Sequence, residues 1–166
     1  GYGQQLASLS RRLLADRHQL FWMPVAGFWG GIYESPDGIT YLPLPPDNDK
    51  GGNQYIDQHV EAWKIYYVLT FSDIWKFPEY GKNFKWLAWT PIDGDPMPPS
   101  YPELLANANR ILACSRHGEG VIRAAGFDPL YAPCGVEPYF KRNAGAGKVF
   151  RTGHAGSSRS PSGVPG

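Results

Sequence analysis

Four short runs of apolar, β-branched and aromatic residues constrain this chain more than any other feature: "KIYYVLTF" at 64–71, "FKWLAW" at 84–89, "RILAC" at 110–114 and "PLYAP" at 129–133. A continuous apolar run of strand length marks a strand covered on both faces. Helical patterns alternate with these runs. "QQLASLSRRLLADRH" sets Leu6, Leu9 and Leu13 on one face, with Arg11, Arg12 and Asp16 elsewhere. "QYIDQHVEAW" does the same with Ile56, Val60 and Trp63, after Asn53 as an N-cap. Ser100 and Glu103 form a capping box for "YPELLANAN". Ser115 caps "RHGEGVIRAAG", whose Val121, Ile122 and Ala125 face inward before Gly126 ends it. Upstream, "QLFWMPV" and "TYLPLP" read as short buried strands, with the loops "GFWGGIYESPDG" and "PPDNDKGGN" between and after them. Strand and helix in strict alternation imply an α/β fold, a Rossmann-like doubly wound parallel sheet.

Sheets of that kind bind ligands outside the carboxyl ends of their strands. The loops "GYG", "SDIW", "TPIDGDPMPP", "CSRHG" and "PCGVE" therefore share one rim. The most unusual is "TPIDGDPMPPS", which packs four prolines and two acids into the exit of "FKWLAW". Its prolines fix the backbone while Asp93 and Asp95 offer carboxylates to a ligand; the competing reading is ordinary Asp-Gly and Asp-Pro turn chemistry. Asp73 in "SDIW" is either a helix N-cap or a ligand contact, and Trp75 beside it either stacks on a sugar ring or packs. Gly1 and Gly3 let the backbone approach a phosphate at a helix N-terminus, or make a tight turn. Arg116, between Ser115 and His117, starts another helix and meets either a phosphate or solvent. Cys114 and Cys134 read as buried, inert thiols. They lack zinc spacing, and neither His59 nor His117 has a partner at metal-ligand spacing, so no metal site is expected.

At 166 residues the chain is long enough for one domain with a real core. A formal net charge of +1 gives no electrostatic footprint for nucleic acid, and an aromatic content of 14% excludes a disordered chain. No apolar run approaches the ~20 residues of a membrane span and no signal peptide opens the chain, so the expectation is a reduced cytoplasmic protein without a transmembrane segment. Residues 141–166 are rich in Gly, Ser and basic residues without an acid, and are expected to form a disordered tail behind a domain at 1–140.

In order, "GYGQQLASLSRRLLADRH", "SDIW", "WTPIDGDPMPP", "ANRILACSRHGEGVIRAAGF" and "LYAPCGVEPYF" resemble the N-terminal domain of retaining, two-domain GT-B glycosyltransferases of the family-four type. The likeness covers about residues 1–140. Its most specific piece is "P-C-G-V-E-x-x-x-F", similar to that family's "P-H-G-V-D-x-x-x-F" at the exit from its first Rossmann-like domain. The resemblance implies transfer of a hexose from a UDP- or GDP-linked nucleotide sugar to a hydroxyl of a carbohydrate or lipid acceptor, with retention and without a further cofactor. It places Asp73, Trp75, Asp93 and Asp95 on the acceptor side. Gly1, Gly3 and Arg116 fall toward the donor phosphate, and Gly135 and Glu137 at the hinge and cleft wall. The family's first strand and its second, donor-binding domain have no counterpart in residues 1–166, so the expectation is a fragment inactive alone. The alternative is a stand-alone Rossmann-like module that binds a nucleotide or carbohydrate without catalysis. A nucleotide-dependent oxidoreductase is disfavoured because "GYGQQL" lacks the G-x-G-x-x-G fingerprint.

Overall fold

The computed structural model describes residues 1–24, 28, 30–44 and 51–136. Glu137 and the expected tail at 141–166 lie outside the described residues. The elements in chain order are α1 (Tyr2–Ala15), β1 (Leu20–Trp22), β2 (Tyr33–Glu34), β3 (Ile39–Tyr41), α2 (Ile56–Trp63), β4 (Tyr67–Phe71), a 3-10 turn (Ile74–Lys76), β5 (Lys85–Thr90), α3 (Tyr101–Ala106), β6 (Arg110–Ala113), α4 (Arg116–Ala124) and β7 (Leu130–Tyr131).

The four apolar runs form one all-parallel sheet in the order β4-β5-β6-β7. Strands added one after another in the same direction, through crossovers of one hand, place every connector on the same face. Ile74 of the 3-10 turn, Leu105 of α3, and Val121 and Ile122 of α4 accordingly share one core with Trp86 and Ala88 of β5 and Ile111 and Ala113 of β6. Ile56 of α2 joins them. Trp86 is wholly buried, its indole N–H donates to Thr70 Oγ1 at 2.9 Å, and Phe77 and Tyr80 pack around its ring. The opposite face carries Phe71 stacked on Trp89 at 4.0 Å, with the Tyr2 ring of α1 edge-on to Phe71 at 4.9 Å. The strand order does not reverse among the described strands of this sheet.

Local signals for two helices hold, except that Ala125, expected to face inward, is exposed as the C-cap where the chain leaves α4. The Ser115 side chain accepts the Gly118 N–H at 2.9 Å and starts α4, with Glu119 in its first turn and Arg123 in its last, as the helix dipole favours. α1 keeps Leu6, Leu9 and Leu13 half-buried while Arg11 and Arg12 are exposed.

Several expectations need correction. "QLFWMPV" and "TYLPLP" do not join the parallel layer: β1 and β3 pair in parallel with each other, β2 adds antiparallel to β3, and the three make a separate sheet. Three strands thus follow one another without a helix, and the strict alternation is lost there. β2 arises inside a stretch read as loop, because Ser35 closes the turn by hydrogen bonds to Asp37 and Ile39 and brings Glu34 opposite Thr40. Asn53 is not the cap of α2, which begins at Ile56 after Tyr55. Its amide instead bridges the Lys76 carbonyl and the Glu79 N–H. Ser100 precedes α3 without a side-chain cap bond, and Pro102 in the first turn supplies a preset φ instead. Cys134 is exposed rather than buried, and Cys114 is only partly buried. β4 is exposed at Tyr67 and buried only at Thr70 and Phe71, and β7 is exposed at both Leu130 and Tyr131, so neither is covered on both faces throughout. Among the described residues no helix is long and apolar enough to cross a membrane.

Two glycines test the packing. Gly81 has φ 79°, and a Cβ there would lie 2.1 Å from the Asn107 carbonyl oxygen; Gly120, on α4, has open space. Gly81→Ala is expected to lower the unfolding free energy by about 2 kcal/mol or more, and Gly120→Ala to raise it by about 0.5–1 kcal/mol. Urea denaturation followed by tryptophan fluorescence checks both signs; a neutral Gly81→Ala would contradict the tight approach of these two loops.

Candidate functional site

Because β4 to β7 run in the same direction, their exits lie on one edge. At this edge the segment 91–99 folds over the ends of β4 and β5. A pocket of about 350 Å³ opens there, walled by Pro91, Pro96, Pro98 and Met97, with Asp73, Asp93 and Tyr101 at its polar side. The Asp95–Pro96 peptide is cis. Ile92 and Met97 are buried and anchor the loop in the core, while Asp93, Gly94 and Asp95 are exposed. Gly118 of α4 lies against Ile92, where an added Cβ would sit 3.4 Å from its backbone and side chain.

Asp73 precedes the 3-10 turn and makes no side-chain cap bond. Its carboxylate instead meets the Tyr2 hydroxyl in a long contact of 3.5 Å and the Lys76 ammonium at 3.5 Å. Lys76 also donates to Ser72 Oγ at 2.9 Å. Asp93 and Asp95 have no hydrogen-bond or ion-pair partner among the described residues. The chain bends at residues 94–96, between and just after them.

The two carboxylates act on their neighbours. Burial first, then the charges of Asp73 and Asp93, raises the phenol of Tyr101 above its ordinary value. The same order of causes, with a hydrogen bond to Asp73 added, raises that of Tyr2. Both phenols can donate, and the shift extends their protonated range to higher pH, beside carboxylates able only to accept. Cys114 is raised by burial and then by Cys134, so its thiol stays neutral.

The pocket brings together Asp73 and Asp93 of the expected residues. Asp95 lies on the same loop but does not line it. Trp75 is half-exposed beside Asp73, with the Lys76 ammonium 5.4 Å from its ring, and also lies off the pocket. Arg116 is occupied elsewhere: it pairs with Glu119 at 2.6 Å and lies 3.6 Å over the Tyr131 ring. Gly1 is the N-cap of α1, whereas Gly3 lies inside the helix rather than in a turn. Gly135 is clipped by the Gln5 amide, which donates to its carbonyl and accepts its N–H, both at 3.0 Å. Glu137 falls outside the described residues. The sequence reading did not find Tyr2, Tyr101 or Gln5. Tyr2 sits inside the quoted "GYG" and Tyr101 directly after the proline loop, so adjacency to those loops was the available signal. Among the described residues no cluster of His, Cys, Asp and Glu could hold a metal ion.

No protein-family model, curated protein or solved structure matches this chain.

Asp73→Asn is expected to lower the Tyr2 pKa toward the ordinary 10.0 without reaching it, because burial is the larger cause and remains. A raised phenol pKa stabilises the fold below about pH 10 and is lost as pH rises through the folded value. A titration of the Tyr2 ζ-carbon by NMR reads the shift; an unchanged pKa would separate the two groups in solution.

Proposed function

We propose that the described chain is the acceptor-binding half of a nucleotide-sugar-dependent hexosyltransferase of the GT-B type. The observation that carries this reading is the pocket itself: carboxylates from the exits of two adjacent parallel strands, Asp73 and Asp93, face a rigid wall of prolines and Tyr101. A hexose presents hydroxyls around its rim and C–H groups on its faces. Carboxylates accept from the hydroxyls, and proline and aromatic surfaces pack on the C–H faces. The tyrosine phenols supply donors to the remaining oxygens.

In this reading the exposure of Asp93 is a consequence of use, since its hydrogen bonds are completed by the acceptor. Leaving-group stabilisation of a UDP- or GDP-sugar, with its developing diphosphate charge, falls to a donor-binding domain that residues 1–166 do not include. The resemblance in "P-C-G-V-E" and the parallel sheet support this assignment. No residue is given a bond-breaking role, and activity of the chain alone is not expected.

The test is titration of the chain with methyl hexosides and, separately, with UDP, GDP and their sugars, by calorimetry and by amide chemical-shift mapping. One or more hexosides should bind weakly, in the millimolar range of about −4 kcal/mol, with shifts at Asp73, Asp93 and Tyr101. Asp93→Asn should weaken this about tenfold, the loss of one charge-assisted hydrogen bond. Tight nucleotide binding would instead favour a stand-alone nucleotide-binding module, and hexoside shifts confined to other surfaces would remove the acceptor assignment.

A further inference from the structure

Among the described residues, the sheet face opposite α3 and α4 is covered at one end only. Near the carboxyl ends Tyr2 packs on Phe71, and Trp89 is 7% exposed. Toward the amino ends the same face presents Tyr67, Lys85, Leu87, Arg110, Leu112 and Leu130, neighbours through the parallel register. They line a shallow hollow of about 530 Å³ that no residue of α1 lines. Leu130 is 54% exposed and Tyr67 50%. All-parallel sheets are covered on both faces in nearly all folds, so this surface is an unmet packing requirement.

Charge decides what meets it. Arg110 has no hydrogen-bond or ion-pair partner among the described residues. Lys85 meets phenols and, among the described residues, no carboxylate: it donates to Tyr66 at 2.8 Å and lies 4.3 Å and 5.5 Å from the Tyr66 and Tyr67 rings. Among the described residues no carboxylate lines the hollow. Residues 141–166 are an ill-suited cover, since they carry Lys141, Arg142, Lys148, Arg151 and Arg159 and no acid. With strands about 4.8 Å apart, the floor from Tyr67 to Leu130 is about 14 Å wide, enough for one helix of about 10 Å diameter. A helix also satisfies its own backbone, which an apolar sheet face cannot do for an extended segment.

We propose that this face is a docking site for an amphipathic α-helix of a partner chain, its apolar stripe on Leu87, Leu112 and Leu130 and its flanking carboxylates on Lys85 and Arg110. The assignment is independent of the acceptor pocket, which lies at the opposite ends of the strands.

Fluorescence anisotropy on the full 166-residue chain tests it. The probe is a labelled leucine-alanine helix of about five turns with glutamates flanking its leucine stripe; the control carries lysines instead. The glutamate peptide should bind about tenfold or more tighter, in keeping with two ion pairs at a partly desolvated rim. A Lys85→Glu, Arg110→Glu double variant should invert the preference. Leu130→Glu, on an exposed position, should weaken both peptides with an unchanged circular dichroism spectrum. The proposal is overturned by equal affinity for the two peptides, by absence of binding, or by a double variant that keeps the original preference. It is equally overturned if phosphatidylglycerol vesicles or a second copy of the chain occupy the face in place of the glutamate peptide.

Discussion

The wholly buried indole of Trp86 is the contact on which the rest of the structure depends. Its ring N–H reaches across to Thr70 on β4. Its backbone N–H donates to the Asn109 side chain and its carbonyl accepts the Asn109 N–H, just ahead of β6. One residue thereby ties three strands together, and a slip of a single position would turn its ring to the other face. With the register fixed, Phe71 and Trp89 end level with each other, and the chain leaves both strands at the same height. That is why Asp73 and Asp93, distant in sequence, line one pocket.

Strand order then divides the two faces unequally. Consecutive parallel strands crowd the 3-10 turn, α3 and α4 against Trp86 and leave the other face to α1. The N-terminus of α1 is held at the rim by Tyr2 on Phe71 and by the Gln5 clip on Gly135, across 130 positions of sequence. The upper half of that face is sealed and supports the pocket. The lower half leaves Leu87, Leu112 and Leu130 beside Lys85 and Arg110, with no carboxylate lining it among the described residues. One topological fact thus accounts both for a proline-walled pocket at the strand exits and for the open half of the opposite sheet face.

The electrostatics of the rim follow from the same geometry. Lys76 meets one of the two pocket carboxylates and leaves Asp93 free of protein partners among the described residues. Asp93, exposed to solvent, therefore stands as an acceptor beside the Tyr2 and Tyr101 phenols, whose pKa values burial and the two carboxylates raise. A phosphate would meet like charge there, so a nucleotide is a poor candidate for this pocket.

The sequence by itself determined the parallel sheet, the helix start at Ser115, and the collection of loops at one edge. These rest on local properties: apolar runs long enough to be strands, a side chain two or three residues from the N–H it caps, and a direction of chain that fixes where exits fall. It found strands in "QLFWMPV" and "TYLPLP" but placed them in the wrong layer, because short proline-bounded runs do not state their partner, and β1 pairs with β3 although β2 lies between them in sequence. Only the tertiary structure decided that Asp73 turns from capping to Tyr2 and Lys76, that Arg116 is taken up by Glu119 and Tyr131, and that half of one sheet face is left open. Each of these depends on which groups from remote parts of the chain arrive at the same place, and periodicity along a sequence carries no distance between residues that far apart.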